Sequence, residues 1–455
     1  MNLDQRAVIR TLIPALDKRA ALRHSHGKQW RQELTDSSIE NTNVFLTGGP
    51  GSGKSVTLNV LFEIMKEGNY GTAVCTAYTG VAVIQLPQPS ATCNTLFSFP
   101  RNIMTLLTDL EEPTQQHKMR FEAIVGDVDD LVVIALDEAS FANTPLLHHI
   151  DQRLRFYLDC DLPFGGLIFV FTGDCQQLQP IGGHAVHTEL VLDALRDDLH
   201  LIKELGLGTT VPNEHHADGK GVRLLRNIRR LDLKANIRAS EDPAHVQHIR
   251  AMRDVNSEQP VSDKLIRSLN LLTKEAVHKH GNTLRFASIA VLSQRERHPL
   301  NLCQARLFAR TYNKPLFKWK LPLSGPAASW ITKEEEGLIY KHEEAGVYGY
   351  FVEGAPCVVL RNLLTNRTLV NGCNGTMYSL SLHHEEDADD SDEDEYATTL
   401  AEYVEEAKLH YQRTTESVLE VLIPMPFSIN VCPDISKHHS DFLLGRNISM
   451  LPGRC

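Results

Sequence analysis

The stretch Val44–Ser55, VFLTGGPGSGKS, decides the fold. Its last eight residues, Gly48-Gly49-Pro50-Gly51-Ser52-Gly53-Lys54-Ser55, satisfy the pattern GxxxxGK[ST]. Val44–Thr47 before them reads as a strand, and Val56, Val60, Leu61 and Ile64 after them mark an apolar helix. Strand, glycine loop and helix in that order make a cradle for phosphate. The glycines let the backbone curl so that its N–H groups, backed by the helix N-terminus, surround the anion. Lys54 adds a point charge at the β/γ oxygens, and the Ser55 hydroxyl binds Mg²⁺. The loop from Gly48 to Ser55 is thus the expected nucleotide-binding element, with ATP and Mg²⁺ as its cofactors.

Three more apolar runs, Thr72–Thr76, Leu131–Leu136 and Leu167–Thr172, recur between helix-like or turn-rich segments without period-two alternation. Strands covered on both faces have this pattern, which predicts an α/β protein with a parallel sheet. The run from Leu131 ends in Asp137-Glu138, and an acid pair there lies at the carboxyl edge of the sheet, where nucleotides bind. Asp137 is expected to hold Mg²⁺ through water, and Glu138 to polarise the attacking water as general base. The next strand closes in Thr172-Gly173-Asp174-Cys175-Gln176-Gln177-Leu178-Gln179-Pro180. A glutamine amide both donates and accepts, so a glutamine here can report on the γ-phosphate. Ahead of the first strand, Leu3, Val8, Ile9, Leu12, Ile13 and Leu16 share one helical face.

Composition removes several classes. Nine of the 57 acidic residues crowd into Glu385–Glu395. Without them 46 basic residues face 48 acidic ones, a balance of −2 against −11 for the whole chain, so overall acidity does not exclude a nucleic-acid partner. That acidic run is expected to be a solvated, disordered loop lying away from any DNA path. No apolar run approaches the roughly 20 residues of a membrane span, and MNLDQRAVIR lacks the apolar core of a secretory signal. The nine cysteines form no CxxC pair, which argues against a disulfide scaffold or a zinc site.

Together these elements resemble the superfamily-1 helicases of the RecD-like branch, most of all the petite-integration-frequency (PIF) DNA helicases. Asp137-Glu138-Ala139-Ser140 resembles their DE(x)S element and Thr172–Pro180 their GDxxQLPP element. The resemblance implies that Gln177 is the γ-phosphate sensor. Asn2-Leu-Asp-Gln5 resembles the adenine-reading element, with Gln5 as the contact. Thr76-Ala-Tyr-Thr79-Gly80 resembles the element that touches single-stranded DNA through Thr79 and the Gly80 backbone. Asn94, in Thr92-Cys-Asn94-Thr95-Leu-Phe97, stands where the family carries a DNA-contacting histidine. Leu233-Lys-Ala-Asn236-Ile-Arg238 resembles the element whose arginine reaches the γ-phosphate, so Arg238 would be an arginine finger stabilising transition-state charge. Gly354–Asn362 with Leu369-Val-Asn371-Gly372 resembles the stretch GxxVMLLRN…LVNG.

The resemblance implies a P-loop NTPase of two RecA-like lobes, the second incomplete. The expected division is a first lobe over 1–205, a turn-rich linker over 206–221, and a second lobe over 222–455 with an inserted small β segment and the acidic loop 385–395. In the second lobe Ser288–Leu292 reads as a strand leading into a helix through Leu300, Leu302, Ala305 and Leu307–Ala309. Arg223, Arg226, Arg229 and Arg230 recur at helical spacing and are candidates to track a phosphate backbone. Phe97 and Phe99 are weighed as base-stacking residues against core packing, with the core favoured. Two terminal family elements, TxHKxQG-like and VALSR-like, do not follow Gly372; Val277–Gly281 and Ala290–Arg295 are imitations in the wrong place. The expectation is therefore a truncated product or incomplete gene model of a longer helicase, itself poorly soluble or in need of a partner.

The implied activity is an ATP-dependent DNA helicase, a DNA-stimulated ATPase moving 5′-to-3′ on single-stranded or forked DNA. Its expected setting is DNA repair, recombination and telomere maintenance in the nucleus, with mitochondria as a second compartment, and with neither membrane nor zinc. The alternative is a truncated, non-translocating ATP- and DNA-binding module acting as scaffold or regulator.

Overall fold

The computed structural model describes residues 1–35, 42–100, 110–174, 176–177, 180, 188, 217–226, 228–253, 267, 273–323, 326–341, 345–360, 372–382, 400–410, 418–426, 428–433 and 448–450. The chain divides into two compact units, Met1–Ser268 and Leu269–Cys455.

The first unit opens with helix α1 (Leu3–His26), whose N-terminus is closed by a reciprocal cap between Asn2 and Gln5. It then runs through β1 (Val44–Gly48), α2 (Lys54–Glu67), β2 (Thr72–Ala77), α3 (Gly80–Ile84), β3 (Ser90–Thr92), α4 (Cys93–Leu96), α5 (Gln115–Val125), β4 (Leu131–Asp137), α6 (Thr144–Leu158), β5 (Ile168–Gly173), α7 (Ala217–Leu225), β6 (Arg229–Leu233) and α8 (Pro243–Arg253). The six strands form one sheet in the order β3-β2-β4-β5-β1-β6, and every neighbouring pair is parallel.

All seven residues of β4 and all six of β5 are buried, which explains the unbroken apolar runs. Alternate side chains feed two cores. Leu131, Ile134, Leu136, Phe169 and Phe171 pack with Phe121 of α5 and Leu146, Ile150 and Leu154 of α6. Val132, Ala135, Ile168 and Val170 pack with Val8, Leu12 and Leu16 of α1 and Leu58, Leu61 and Met65 of α2. Phe97 and Phe99 lie in the first of these cores, so core packing is their role. The result is a P-loop, RecA-like fold.

The boundary differs from the expectation. Residues 222–268 belong to the first unit, because β6 pairs with β1 from Val44↔Arg229 to Gly48↔Leu233 and completes the sheet. The predicted linker falls partly on α7, and its residues 206–216 lie outside the described ones. The four arginines do not share a helix: α7 ends at Leu225 and β6 begins at Arg229, where Arg230 pairs with Asp232 at 2.9 Å.

The second unit contains α9 (Lys274–Leu284), α10 (Gln294–Tyr312), β7 (Leu316–Lys320), α11 (Lys333–Lys341), β8 (Tyr348–Phe351), β9 (Pro356–Val358), β10 (Asn374–Ser381), α12 (Leu400–His410), β11 (Glu420–Leu422), β12 (Ser428–Pro433) and β13 (Ile448–Met450). Its strands form a three-stranded sheet, β11-β7-β8, and a four-stranded antiparallel one, β13-β12-β10-β9. Among the described residues, β11–β7 is its one parallel pair, in place of the second parallel sheet anticipated. Ser288–Leu292 is not a strand: Ile289 and Leu292 are exposed, and the chain turns into α10 through a cap made by Ser293 and Glu296. The helix predicted after that run is present as α10. Val277–Gly281 lies on α9. The acidic run and Leu369–Asn371 lie outside the described residues.

Candidate active site

The first sheet brings its carboxyl ends level. Thr47 stands opposite Gly173, and Leu136 opposite Phe171, so the loop after β1 and the acids after β4 and β5 emerge side by side. The loop turns through Gly51 (φ 75°) and Gly53 (φ 91°), and the Ser52 N–H closes it onto the Gly49 carbonyl at 3.2 Å. Both conformations are left-handed, where a side chain is strained. Space forbids one as well: a Cβ on Gly53 would fall 2.4 Å from Gln5 Nε2, and one on Gly51 2.5 Å from Arg238 Cβ.

Lys54 opens α2 and folds back, its Nζ donating to the Gly48 carbonyl at 2.8 Å. Burial lowers its ammonium below the ordinary lysine value, against the opposing charges of Asp174, Asp137 and Glu138. A half-buried cation under the charge of three carboxylates is a site suited to an anion with its own counter-cation.

Asp137 ends β4, is 8% exposed, and accepts a hydrogen bond from the Thr172 hydroxyl of the neighbouring strand. Glu138 follows in the left-handed region at φ 54°. That turn carries its side chain off the strand path, a strained conformation of the sort that concentrates at functional sites. Burial, and next the Asp137 charge, raise the Glu138 carboxyl above its ordinary value although Lys54 pulls the other way. A raised carboxyl is a better proton acceptor, as a general base requires. Gly173 keeps this corner tight: a Cβ there would meet the backbone nitrogens of Ala139 and Ser140 at 3.1 Å.

Asp174 is 1% exposed and receives a two-pronged bond from Arg253 of α8, Nη1 to Oδ2 at 2.6 Å and Nη2 to Oδ1 at 2.7 Å. Burial works to raise the Asp174 carboxyl, but the Arg253 bonds, the Gln176 N–H and the charges of Arg253 and Lys54 outweigh it and hold it below the ordinary value. Gln177 donates to the same carboxylate at 3.3 Å, and Gln176 donates to the Arg253 carbonyl at 2.7 Å.

Several residues singled out in the sequence lie around the same loop. Gln5 is 1% exposed and donates through Nε2 to the Gly53 carbonyl at 3.2 Å. Ile237 and Arg238 donate their backbone N–H groups to the Gly51 carbonyl at 2.8 and 3.3 Å, and the Arg238 side chain is exposed beside the loop. Thr79 caps α3, exposed, with Gly80 buried behind it. Asn94 lies half-buried on α4. Among the described residues, Thr79, Gly80 and Asn94 form no hydrogen bond to the phosphate-loop cluster.

Two partners were missed. Thr172 stands out in the sequence only as part of the motif Thr172–Pro180, although a hydroxyl residue level with Asp137 on an adjacent strand is its natural donor. Arg253 carried no signal at all: 79 residues separate it from Asp174, and only the sixth strand and the helix after it bring it over the loop.

Comparison with known proteins finds likeness to Pif1 helicases. The family model described as PIF1-like helicase matches residues 28–200. The chain is 30% identical over 140 residues to the ATP-dependent DNA helicase Pif1 of Psychrobacter sp. (strain PRwf-1), covering 31% of this chain and 20% of that protein. It is 28% identical over 141 residues to the ATP-dependent DNA helicase PIF1 of Saccharomyces cerevisiae (strain YJM789), covering 30% of this chain and 16% of that one. The matched stretch is thus a fifth or less of either relative's length. The crystal structure of Pif1 helicase from Candida albicans overlaps 99% of this chain and 78% of its own, at 14% identity and a TM-score of 0.45. That overlap is too loose to add weight to the sequence match. Over residues 28–200, less than half of the chain, the sequence is similar to the PIF1-like helicase family.

Proposed function

We propose that this chain is an ATP-dependent DNA helicase module, a DNA-stimulated ATPase whose nucleotide site is the carboxyl edge of the first sheet. The observation that carries the reading is the half-buried Lys54 folded onto its glycine loop with Asp137, Glu138 and Asp174 acting on its charge.

In this reading the backbone N–H groups of Gly48 to Ser55 wrap the phosphates, and Lys54 leaves the Gly48 carbonyl for the β/γ oxygens. Ser55 and Asp137 hold Mg²⁺, which supplies charge neutralisation at the phosphates. The donor set suits a hard cation, a hydroxyl and a carboxylate with room for water ligands. Thr172 fixes the Asp137 carboxylate through one oxygen. Glu138 takes the proton of the attacking water, and Gln177 senses the terminal phosphate from its seat on Asp174. Arg238 stabilises charge there as an arginine finger. Gln5 reads the adenine edge from its anchor on Gly53. Thr79, Gly80 and Asn94 contact single-stranded or forked DNA, and translocation runs 5′-to-3′. DNA repair, recombination and telomere maintenance, in the nucleus or in mitochondria, are the roles this reading predicts. Two RecA-like lobes with a boundary across 206–221 remain part of the proposal only in modified form, since the first sheet includes β6.

The test is ATP hydrolysis with and without single-stranded DNA, using Lys54→Ala as the blank. Turnover stimulated several-fold by DNA and lost in the variant supports the motor, and strand displacement would follow. Nucleotide binding with no DNA-stimulated turnover would instead support the second reading, a non-translocating ATP- and DNA-binding module.

A further inference from the structure

We propose that Arg253 is a second arginine of the nucleotide site, distinct from Arg238: a ligand of the terminal phosphate of ATP, held ready by Asp174. The inference rests on the nucleotide reading above and assigns a residue which that reading does not use.

Three observations converge on it. The guanidinium lies over the start of the phosphate loop: a Cβ on Gly49 would stand 3.5 Å from Cζ and 3.7 Å from both Nε and Nη1. Near-equal distances to three atoms of one plane mean that the group lies face-on over Gly49. Lys54 Nζ gathers at the same place, at 2.8 Å from the Gly48 carbonyl and 3.4 Å from that of Gly49. In a loop of this pattern the lysine serves the β/γ oxygens, so the end of the loop it marks is the terminal-phosphate end. Arg238 meets the loop elsewhere, through its backbone at Gly51.

The second observation is the manner of holding. A guanidinium has five N–H groups in a rigid fork, and the bidentate bond to Asp174 engages two of them at 2.6 and 2.7 Å. Asp174, 1% exposed, is itself fixed on the strand end beside the loop. The pair therefore sets the plane of the fork. An arginine so oriented loses little freedom when a phosphate arrives.

Third, the arginine is tied to the glutamine cluster. Gln177 donates to Asp174 Oδ2, which also takes Arg253 Nη1, and Gln176 donates to the Arg253 carbonyl at the end of α8. A pull on the fork by phosphate is thus transmitted to both glutamines and to the helix that carries Arg253. A structural tie would need no position over the loop; a phosphate ligand does.

The experiment is equilibrium titration of the full chain with fluorescent ATP and ADP analogues in the presence of Mg²⁺, with thermal melting alongside. Arg253→Ala is expected to weaken ATP about tenfold, the size of a lost charge-assisted bond, and ADP less than about twofold, since ADP lacks the terminal group. Arg253→Lys keeps the charge but not the fork, and should fall between parent and alanine for ATP alone. Asp174→Asn, which loosens the fork, should reduce the ATP preference in the same direction. Equal losses for ATP and ADP, or no loss for either, overturn the inference while leaving the nucleotide site standing. Failure of the parent chain to bind either analogue overturns the nucleotide reading itself. Should Arg253→Ala not fold, the lysine variant's ATP-to-ADP ratio decides alone.

Discussion

The two units solve the burial of a sheet in different ways. In the first, six parallel strands are sandwiched between helices, and β4 and β5 have no exposed residue. In the second, the described strands are three to eight residues long and split between two small sheets, and β7 leaves two of its five residues at least part-exposed. The consequence is electrostatic. At the first sheet's carboxyl edge Asp174 is matched by Arg253, but Asp137 and Glu138 both act on a single half-buried lysine, Lys54. In the second unit Glu420 of β11 is matched by Arg306 at 2.5 Å and Lys318 at 3.1 Å, an arrangement that only fastens α10 and β7 to β11. Uncompensated charge at a rigid edge is the mark of a site; compensated charge is the mark of a joint.

The strongest way to break that comparison is Glu138→Gln. If the edge is chemical, this change should cut ATP turnover about 10²–10⁴-fold, the range for loss of a general base, with nucleotide affinity kept. Turnover within a few-fold of the parent would mean that Glu138 is a structural turn. Next comes the scaffold. Phe171 of β5 is 1% exposed among Phe164, Phe169 and Phe45. Phe171→Ala should cost about 3–5 kcal/mol of first-unit stability in denaturant unfolding and abolish nucleotide binding with it. A smaller effect should follow from Arg19→Ala. Arg19 of α1 is fully buried and donates through Nε and Nη2 to the Gly166 carbonyl at 3.3 and 3.0 Å, tying the first helix to the chain before β5. Losing those bonds should cost about 2–3 kcal/mol; Arg19→Met, which keeps the stem packing, should lose less.

The same contrast explains what was legible in the sequence. Val44–Thr47, Leu131–Leu136 and Leu167–Thr172 announce themselves because a doubly covered strand needs apolar residues throughout. The loop announces itself because wrapping phosphate needs glycines at fixed spacing. Both are local demands. Arg253 and β6 were invisible for the opposite reason: RRLDL reads as a charged surface segment, and only its pairing with β1 makes it a strand that carries α8 back to the loop. Arg19 and Arg31 were likewise unremarkable as letters, although burial lowers both to about 10 and their bonds go to backbone carbonyls far along the chain. In the second unit Ser288–Leu292 has the composition of a strand but no neighbour to pair with, so composition alone misled.

A pair of glutamate replacements sharpens the comparison further, because their carboxyls are displaced in opposite directions. Burial and Asp137 raise Glu138. A group whose folded value lies above its unfolded value disfavours folding once it must ionise, so it destabilises the native state near neutral pH and ceases to do so as pH falls through the folded value. Glu138→Gln should therefore raise Tm near neutral pH, by roughly 1–2 °C given solvent screening, and the gain should vanish in acid. For Glu420 burial acts upward, but the bonds to Arg306 and Lys318 outweigh it and lower the carboxyl. A lowered value means stability that is present above the unfolded value and lost as pH falls through the folded one. Glu420→Gln should thus lower Tm near neutral pH, and its deficit should also close in acid. Difference curves of opposite sign that converge at low pH would establish one carboxylate held against stability for chemistry and one held for stability. Two curves of the same sign would erase the distinction between the edge and the joint.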